Sequence, residues 1–167
     1  MNGFKDFYKN QLNNELFTLG VEANIVDKYD FVECIADTSN STTFVAVHKI
    51  LKAKFIFKIY KNTHQAEEYR ILSKLTHTGI PRIIDVISGK GSTIIVEEYF
   101  EGKTLNNVMD EVNYFSKNRL INLFLKISEI LKFLHSQNPA VIHKDIKPEN
   151  IMVNKNGDVK LIDFGNA

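Results

Sequence analysis

Apolar residues at Phe4, Phe7, Tyr8, Leu12, Leu16 and Leu19 recur three to four positions apart, with polar residues between them. That period predicts an amphipathic helix ending near Gly20, its apolar stripe packed on the domain that follows. The pattern changes at Tyr29. Residues 29–35, 43–50 and 54–60 are rich in β-branched and aromatic side chains, and polar stretches at 37–41 and 51–53 separate them, which predicts two successive hairpins. Over 65–75, Ala66, Tyr69, Leu72 and Leu75 share a helical face, and a loop starts near Thr78-Gly79 and includes Pro81. A further strand pair is predicted at 83–88 and 93–99, and a short helix over 104–112. A long helix over 118–136 is expected to bury one broad face made of Leu120, Leu123, Phe124, Ile127, Leu131 and Leu134. Short strands at 151–153 and 159–162 flank a turn at 154–158. A strand-rich half thus gives way to a helix-rich half near Glu101-Gly102-Lys103, with no internal repeat and no low-complexity linker.

Composition narrows the class without choosing a function. The 167 residues suffice for one domain or two small lobes. With 44% hydrophobic and 25% charged residues the chain reads as an ordinary soluble globular protein. A net charge of +1 gives no support for nucleic acid or an acidic membrane as partner. No apolar run reaches the length of a membrane span, and the first residues lack the apolar core of a signal peptide. The single cysteine, Cys34, cannot form an internal disulfide. It lies in an apolar run, so a buried thiol is expected, and the reducing cytosol is the natural compartment.

The chemistry is concentrated in His143-Lys144-Asp145-Ile146-Lys147-Pro148-Glu149-Asn150 and the following Asp163-Phe164-Gly165. An aspartate, a lysine, an asparagine and a second aspartate stand here at the spacing that phosphoryl transfer from ATP requires. Asp145 can orient and deprotonate an attacking hydroxyl, and Lys147 can meet charge accumulating on phosphate oxygens. Asn150 and Asp163 offer the hard oxygen ligands that Mg²⁺ prefers. His143, preceded by Val141 and Ile142, and Phe164 read as packing residues. Lys58 stands mid-strand among apolar neighbours, where a lysine either reaches solvent or has an anionic partner.

The order of these parts resembles the eukaryotic-type protein kinase family from about Tyr29 to the last residue, and its bacterial members most of all, by the phrases Gly79-Ile80-Pro81 and Glu98-Tyr99-Phe100-Glu101-Gly102. The resemblance implies an α+β, protein-kinase-like two-lobed fold. An N-terminal helical extension (1–28) would precede an antiparallel strand-rich N-lobe with one long helix (29–100) and an incomplete helical C-lobe (101–167). It implies that Asp145 is the catalytic base and Lys147 its charge-stabilising neighbour, in the phrase of the serine/threonine-specific branch. Asn150 and Asp163 would hold Mg²⁺. Lys58, paired with Glu68, would hold the α- and β-phosphates, Glu67 being one residue out of phase. Glu98 and Phe100 would offer backbone groups to adenine, and Ile35 and Met152 would complete the nucleotide contacts. ATP and Mg²⁺ are then the cofactors and a protein serine or threonine the substrate, in the cytoplasm.

Five departures accompany the resemblance. Residues 35–43 match the phosphate loop in length but carry Ala36, Thr38 and Ser41 where glycines are expected. Ile56 replaces the usual alanine against the adenine ring, and Glu97 falls at the gatekeeper position, where a carboxylate is costly unless paired. Lys144 replaces an arginine that would grip a phosphorylated activation loop bidentately. Finally, no activation segment, Ala-Pro-Glu element or later helix follows Gly165, so exposed apolar surface and self-association are expected of this chain. Alternative readings are a non-catalytic pseudokinase on the same fold and a small-molecule kinase, though the latter usually lacks Lys-Pro-Glu-Asn.

Overall fold

The computed structural model describes residues 23–60, 67–88, 93–111, 114–165 and 167, so the helix expected over 4–19 lies outside the described residues. The described residues form two compact units. One draws on the described residues within Met1–Ala66 and Ile83–Tyr99, the other on those within Glu67–Arg82 and Phe100–Ala167.

In the first unit a short helix α1 (Ala23–Lys28) leads into β1 (Tyr29–Asp37), β2 (Ser41–His48) and β3 (Lys54–Tyr60), joined later by β4 (Ile83–Ser88) and β5 (Thr93–Glu98). They make one antiparallel sheet in the order β1-β2-β3-β5-β4. Strand alternation explains its core. Phe44 and Ala46 of β2, Phe57 and Ile59 of β3, and Ile94 and Val96 of β5 point to one face and pack there with Ile25 of α1. Tyr29 and Phe31 set their rings edge-on to Phe57 at 4.9 and 5.0 Å, the geometry favoured by the aromatic quadrupole. Helix α1 therefore joins this core through Ile25 and Val26. Ile25 is buried, and the Lys49 amide and ammonium donate to the carbonyls of Lys28 and Val26 at 2.8 and 2.7 Å. Lys58 emerges from the opposite face, between Thr43 and Ile95 in register.

The expectation of a buried Cys34 is wrong: the thiol is exposed. Among the described residues β1 is an edge strand paired only with β2, and its pairing slips between Phe31 and Glu33 and again between Cys34 and Ala36. Beyond Phe31 the strand carries its apolar residues into solvent, with Val32 54% and Ile35 50% exposed. Local hydrophobicity promised a covering layer that no described element supplies at this edge.

The second unit begins with α2 (Glu67–Leu72). It continues with β6 (Lys103–Thr104), α3 (Leu105–Glu111), α4 (Lys117–His135), a 3₁₀ turn (Pro148–Asn150), β7 (Ile151–Val153) and β8 (Val159–Leu161), the three strands pairing in the order β6-β7-β8. Ser116 caps α4, its Oγ accepting from the Arg119 amide at 3.3 Å. α4 buries Leu123, Ile130 and Leu134, a narrow stripe at seven- and four-residue spacing. The broad face expected from the sequence is corrected accordingly: Leu120 and Phe124 are 38% and 63% exposed, and Ile121 and Leu125 flank them. No described element covers that flank.

Gly79 lies against the buried stripe, where a Cβ would come within 2.4 Å of the Ile130 side chain. Its carbonyl accepts the Leu161 amide at 2.8 Å, and Lys160, a buried lysine of β8, donates to the carbonyls of Thr78 and Ile80 at 2.9 and 3.2 Å. The loop after α2 is thereby tied to the strand that leads to Asp163. Among the described residues no helix is long and apolar enough to cross a membrane.

Candidate active site

The loop between α4 and β7 holds most of the chemistry. His143 is 1% exposed and meets Phe164, also 1% exposed, edge to face at 4.7 Å. Its Nε2 lies 3.0 Å from the Ile162 carbonyl, and its Nδ1 accepts from the Asp145 amide at 3.3 Å. An imidazole can do both only with its proton on Nε2. The packing role read from the sequence is therefore accompanied by two hydrogen bonds, one to each side of the site. Two non-glycine residues in the left-handed region, Lys144 (φ 63°) and Asp163 (φ 66°), directly adjoin these bonded residues. Such backbone costs on the order of 1 kcal/mol or more per residue and persists where the surroundings over-determine it.

Asp145, Lys147 and Asn150 form one hydrogen-bonded cluster. Lys147 Nζ is 2.8 Å from Asp145 Oδ2. Asn150, 5% exposed, donates through Nδ2 to the Asp145 carbonyl at 2.8 Å and to Oδ2 at 2.9 Å. The 3₁₀ turn fixes Asn150 in place: its amide donates to the Lys147 carbonyl at 3.0 Å, and its carbonyl accepts from the Ile162 amide at 2.9 Å. The hydrogen bond from Lys147, helped by that from Asn150, holds the Asp145 carboxyl below the usual carboxylate range. The same bond, with the charges of Asp145, Glu149 and Asp163, raises Lys147. At neutral pH the pair is thus a carboxylate and an ammonium. Both bonds fall on Oδ2; Oδ1 carries neither and can accept a hydroxyl proton.

The donor set also suits a hard cation. Because the Asn150 amide nitrogen is spent on Asp145, its Oδ1 is the atom left to ligate, and Asp163 supplies a carboxylate one residue before the buried Phe164. One amide oxygen and one carboxylate are few for Ca²⁺ but fit Mg²⁺, which fills its remaining positions with phosphate oxygens and water. Among the described residues no group of three or more His, Cys, Asp and Glu gathers to hold a metal, here or elsewhere. A cavity of about 490 Å³ floored by Leu105, Val108 and Leu123 contains none of the site residues.

The remaining positions singled out in the sequence are distributed over both units. In the first, Lys58 is half-buried mid-way along β3, Ile35 is half-exposed on β1, and Glu98 ends β5 opposite Phe55. Glu97 is 5% exposed, opposite Ile56 and Ile83. In the second, Met152 is half-buried on β7 opposite Thr104 and Lys160, and Phe100 lies under the Lys160 ammonium at 5.7 Å. Glu68 belongs to α2, but its side chain is outside the described residues. Lys160 was passed over in the sequence as an ordinary strand residue. A lysine between Val159 and Leu161 in a three-residue apolar strand is the signal that marks it.

A strand-rich antiparallel unit, a His-x-Asp loop whose aspartate, lysine and asparagine bond to one another, and Asp-Phe-Gly behind β8 are the parts of a protein kinase domain. The chain belongs to the protein kinase family, matching its protein kinase domain over residues 30–167. It is 27% identical over 150 residues to the "Probable serine/threonine-protein kinase" of Clostridium perfringens, which covers 84% of this chain and 22% of that protein. It is 28% identical over 147 residues to sperm motility kinase 2B of Mus musculus, covering 85% of this chain and 30% of that one. Against calcium-dependent protein kinase 6 of Plasmodium berghei it is 39% identical over 123 residues, covering 72% of this chain and 8% of that protein. The chain thus spans less than a third of the length of each of these relatives.

Proposed function

We propose that this chain carries the catalytic region of a serine/threonine protein kinase, which transfers the γ-phosphoryl group of MgATP in line to a serine or threonine hydroxyl of a protein. The observation that carries this reading is the Asp145–Lys147–Asn150 cluster, with its ionised base, its cation on the same carboxylate and its oriented amide. Asp145 would orient the hydroxyl and take its proton, and Lys147 would offset charge on the transferring group. Asn150 and Asp163 would hold Mg²⁺, which when bound neutralises phosphate charge. Lys58, with Glu68 as partner, would meet the α- and β-phosphates. Ile35 and Met152 would contact the nucleotide, and Glu98 and Phe100 would present backbone groups to adenine. The names of the relatives support protein hydroxyls as substrate class, and a single cysteine accords with a cytoplasmic setting.

Two measurements test the reading. Thermal unfolding of the full chain with ATP should show stabilisation that requires Mg²⁺; no such stabilisation counts against it. Transfer of ³²P from ATP to a mixed serine/threonine peptide substrate should fall by about 10²–10⁴ in Asp145→Asn. Equal incorporation by both proteins would remove Asp145 from the mechanism. The second reading, a pseudokinase, is favoured by the β1–β2 turn, whose Asn40 and Ser41 amides donate to Thr38 Oγ1. It predicts nucleotide-dependent stabilisation with no transfer in either protein.

A further inference from the structure

The segment between β1 and β2 is shorter than its sequence led one to expect. β1 runs to Asp37 and β2 resumes at Ser41, with Asp37 opposite Thr42, so only Thr38, Ser39 and Asn40 make the turn. The backbone donors of that turn are directed at the turn itself. The Thr38 amide donates to the Ser41 carbonyl at 2.9 Å, and the Asn40 and Ser41 amides donate to Thr38 Oγ1 at 3.3 and 3.0 Å. The Thr38 hydroxyl in turn donates to the Ser41 carbonyl at 3.0 Å, and Thr42 donates to the Asp37 carboxylate at 2.8 Å. No residue of the turn has a positive φ. The turn is therefore closed by the Thr38 hydroxyl and not by a left-handed residue.

From this we infer that Thr38 sets the nucleotide affinity of the site by occupying the two amides that a phosphate chain would otherwise use. The inference rests on the nucleotide-binding reading above and assigns Thr38 a specificity-determining role within it. A phosphate oxygen approaching the turn meets amides already bonded to the Thr38 hydroxyl, with the Asp37 carboxylate at the base of the turn. Recognition of the triphosphate then falls on groups outside the turn, and the turn contributes little. Removing the hydroxyl while keeping the shape leaves the Asn40 and Ser41 amides bonded only to water, from which phosphate oxygens can take them.

The test is a titration of the full chain and of Thr38→Val with Mg·ATP and, separately, with adenosine, by calorimetry. A second variant, Thr38→Ala, removes the same acceptor with less bulk. Thr38 is exposed in a turn, so circular dichroism should show both variants folded. Two amides released to an anionic acceptor are expected to tighten Mg·ATP binding about tenfold. Adenosine, which has no phosphate, should bind unchanged. Unaltered or weakened Mg·ATP binding in both variants, with measurable binding to the parent chain, overturns this inference and leaves the kinase reading standing. A gain shared equally by adenosine also overturns it, because the turn would then act through shape. Mg·ATP binding by none of the three proteins overturns both readings.

Discussion

Replacing His143 by phenylalanine isolates what its two hydrogen bonds contribute. Phenylalanine keeps a flat ring against Phe164 at the same 4.7 Å contact, so the packing is largely preserved. The lost bonds are those to the Ile162 carbonyl, at 3.0 Å, and from the Asp145 amide, at 3.3 Å. A buried polar group left without a partner costs about 1–3 kcal/mol. Both bonds are only partly buried, so the lower part of that range applies to each, about 2–4 kcal/mol together. In a chain of this length each kcal/mol lowers the melting temperature by about 2–4 °C, which gives an expected fall of about 4–16 °C. Phe164→Leu is the control. It keeps both bonds but loses an edge-to-face ring contact worth about 0.5–1.5 kcal/mol and some buried volume, so it controls for lost packing and should leave the ATP effect in place. Thermal unfolding by circular dichroism reads both. Since the bonds bracket Asp145 and Asp163, the Mg²⁺-dependent stabilisation by ATP should also shrink in His143→Phe. A melting temperature within about 1 °C of the parent, with the ATP effect intact, would refute the claim that His143 holds the two halves of the loop.

Three further outcomes are expected. Because Lys147 is the largest cause of the lowered Asp145 carboxyl, Lys147→Met should move its titration upward, read by carbon-13 NMR of the side-chain carboxyl. The sign follows from linkage: a depressed folded-state value contributes stability above the unfolded carboxylate value, lost as pH falls through the folded one, so the variant should lose its share at higher pH. An unmoved titration refutes that cause. Gly79→Ala should cost about 1–3 kcal/mol by overpacking against Ile130, and the double variant with Ile130→Ala should lose less than the sum of the two single losses, measured by urea unfolding; strict additivity would refute the contact. The exposed flank of α4, formed by Leu120, Ile121, Phe124 and Leu125, should promote association of the chain, visible by light scattering and reduced in Phe124→Glu. A clean monomer at high concentration refutes this.

Sequence alone determined what depends on local periodicity and on fixed spacing. The strands, the long helix and the 154–158 turn were legible because side-chain alternation and the 3.6-residue period are properties of consecutive residues. Asp145, Lys147 and Asn150 lie within six positions, so their chemistry could be read before any fold was known, and the structure adds that they bond to one another. Burial was not local. Cys34 and Phe124 lie in apolar runs, yet whether a run is covered depends on which element comes to lie against it; among the described residues an edge strand and the outer flank of α4 receive none. Lys160 was hidden for the converse reason, since its partners at Thr78 and Ile80 are some eighty residues away in the chain. The β1–β2 turn divides the two most clearly. Its missing glycines were plain in the sequence, but that Thr38 closes the turn on its own amides depends on strand register, which only the paired β1 and β2 could set.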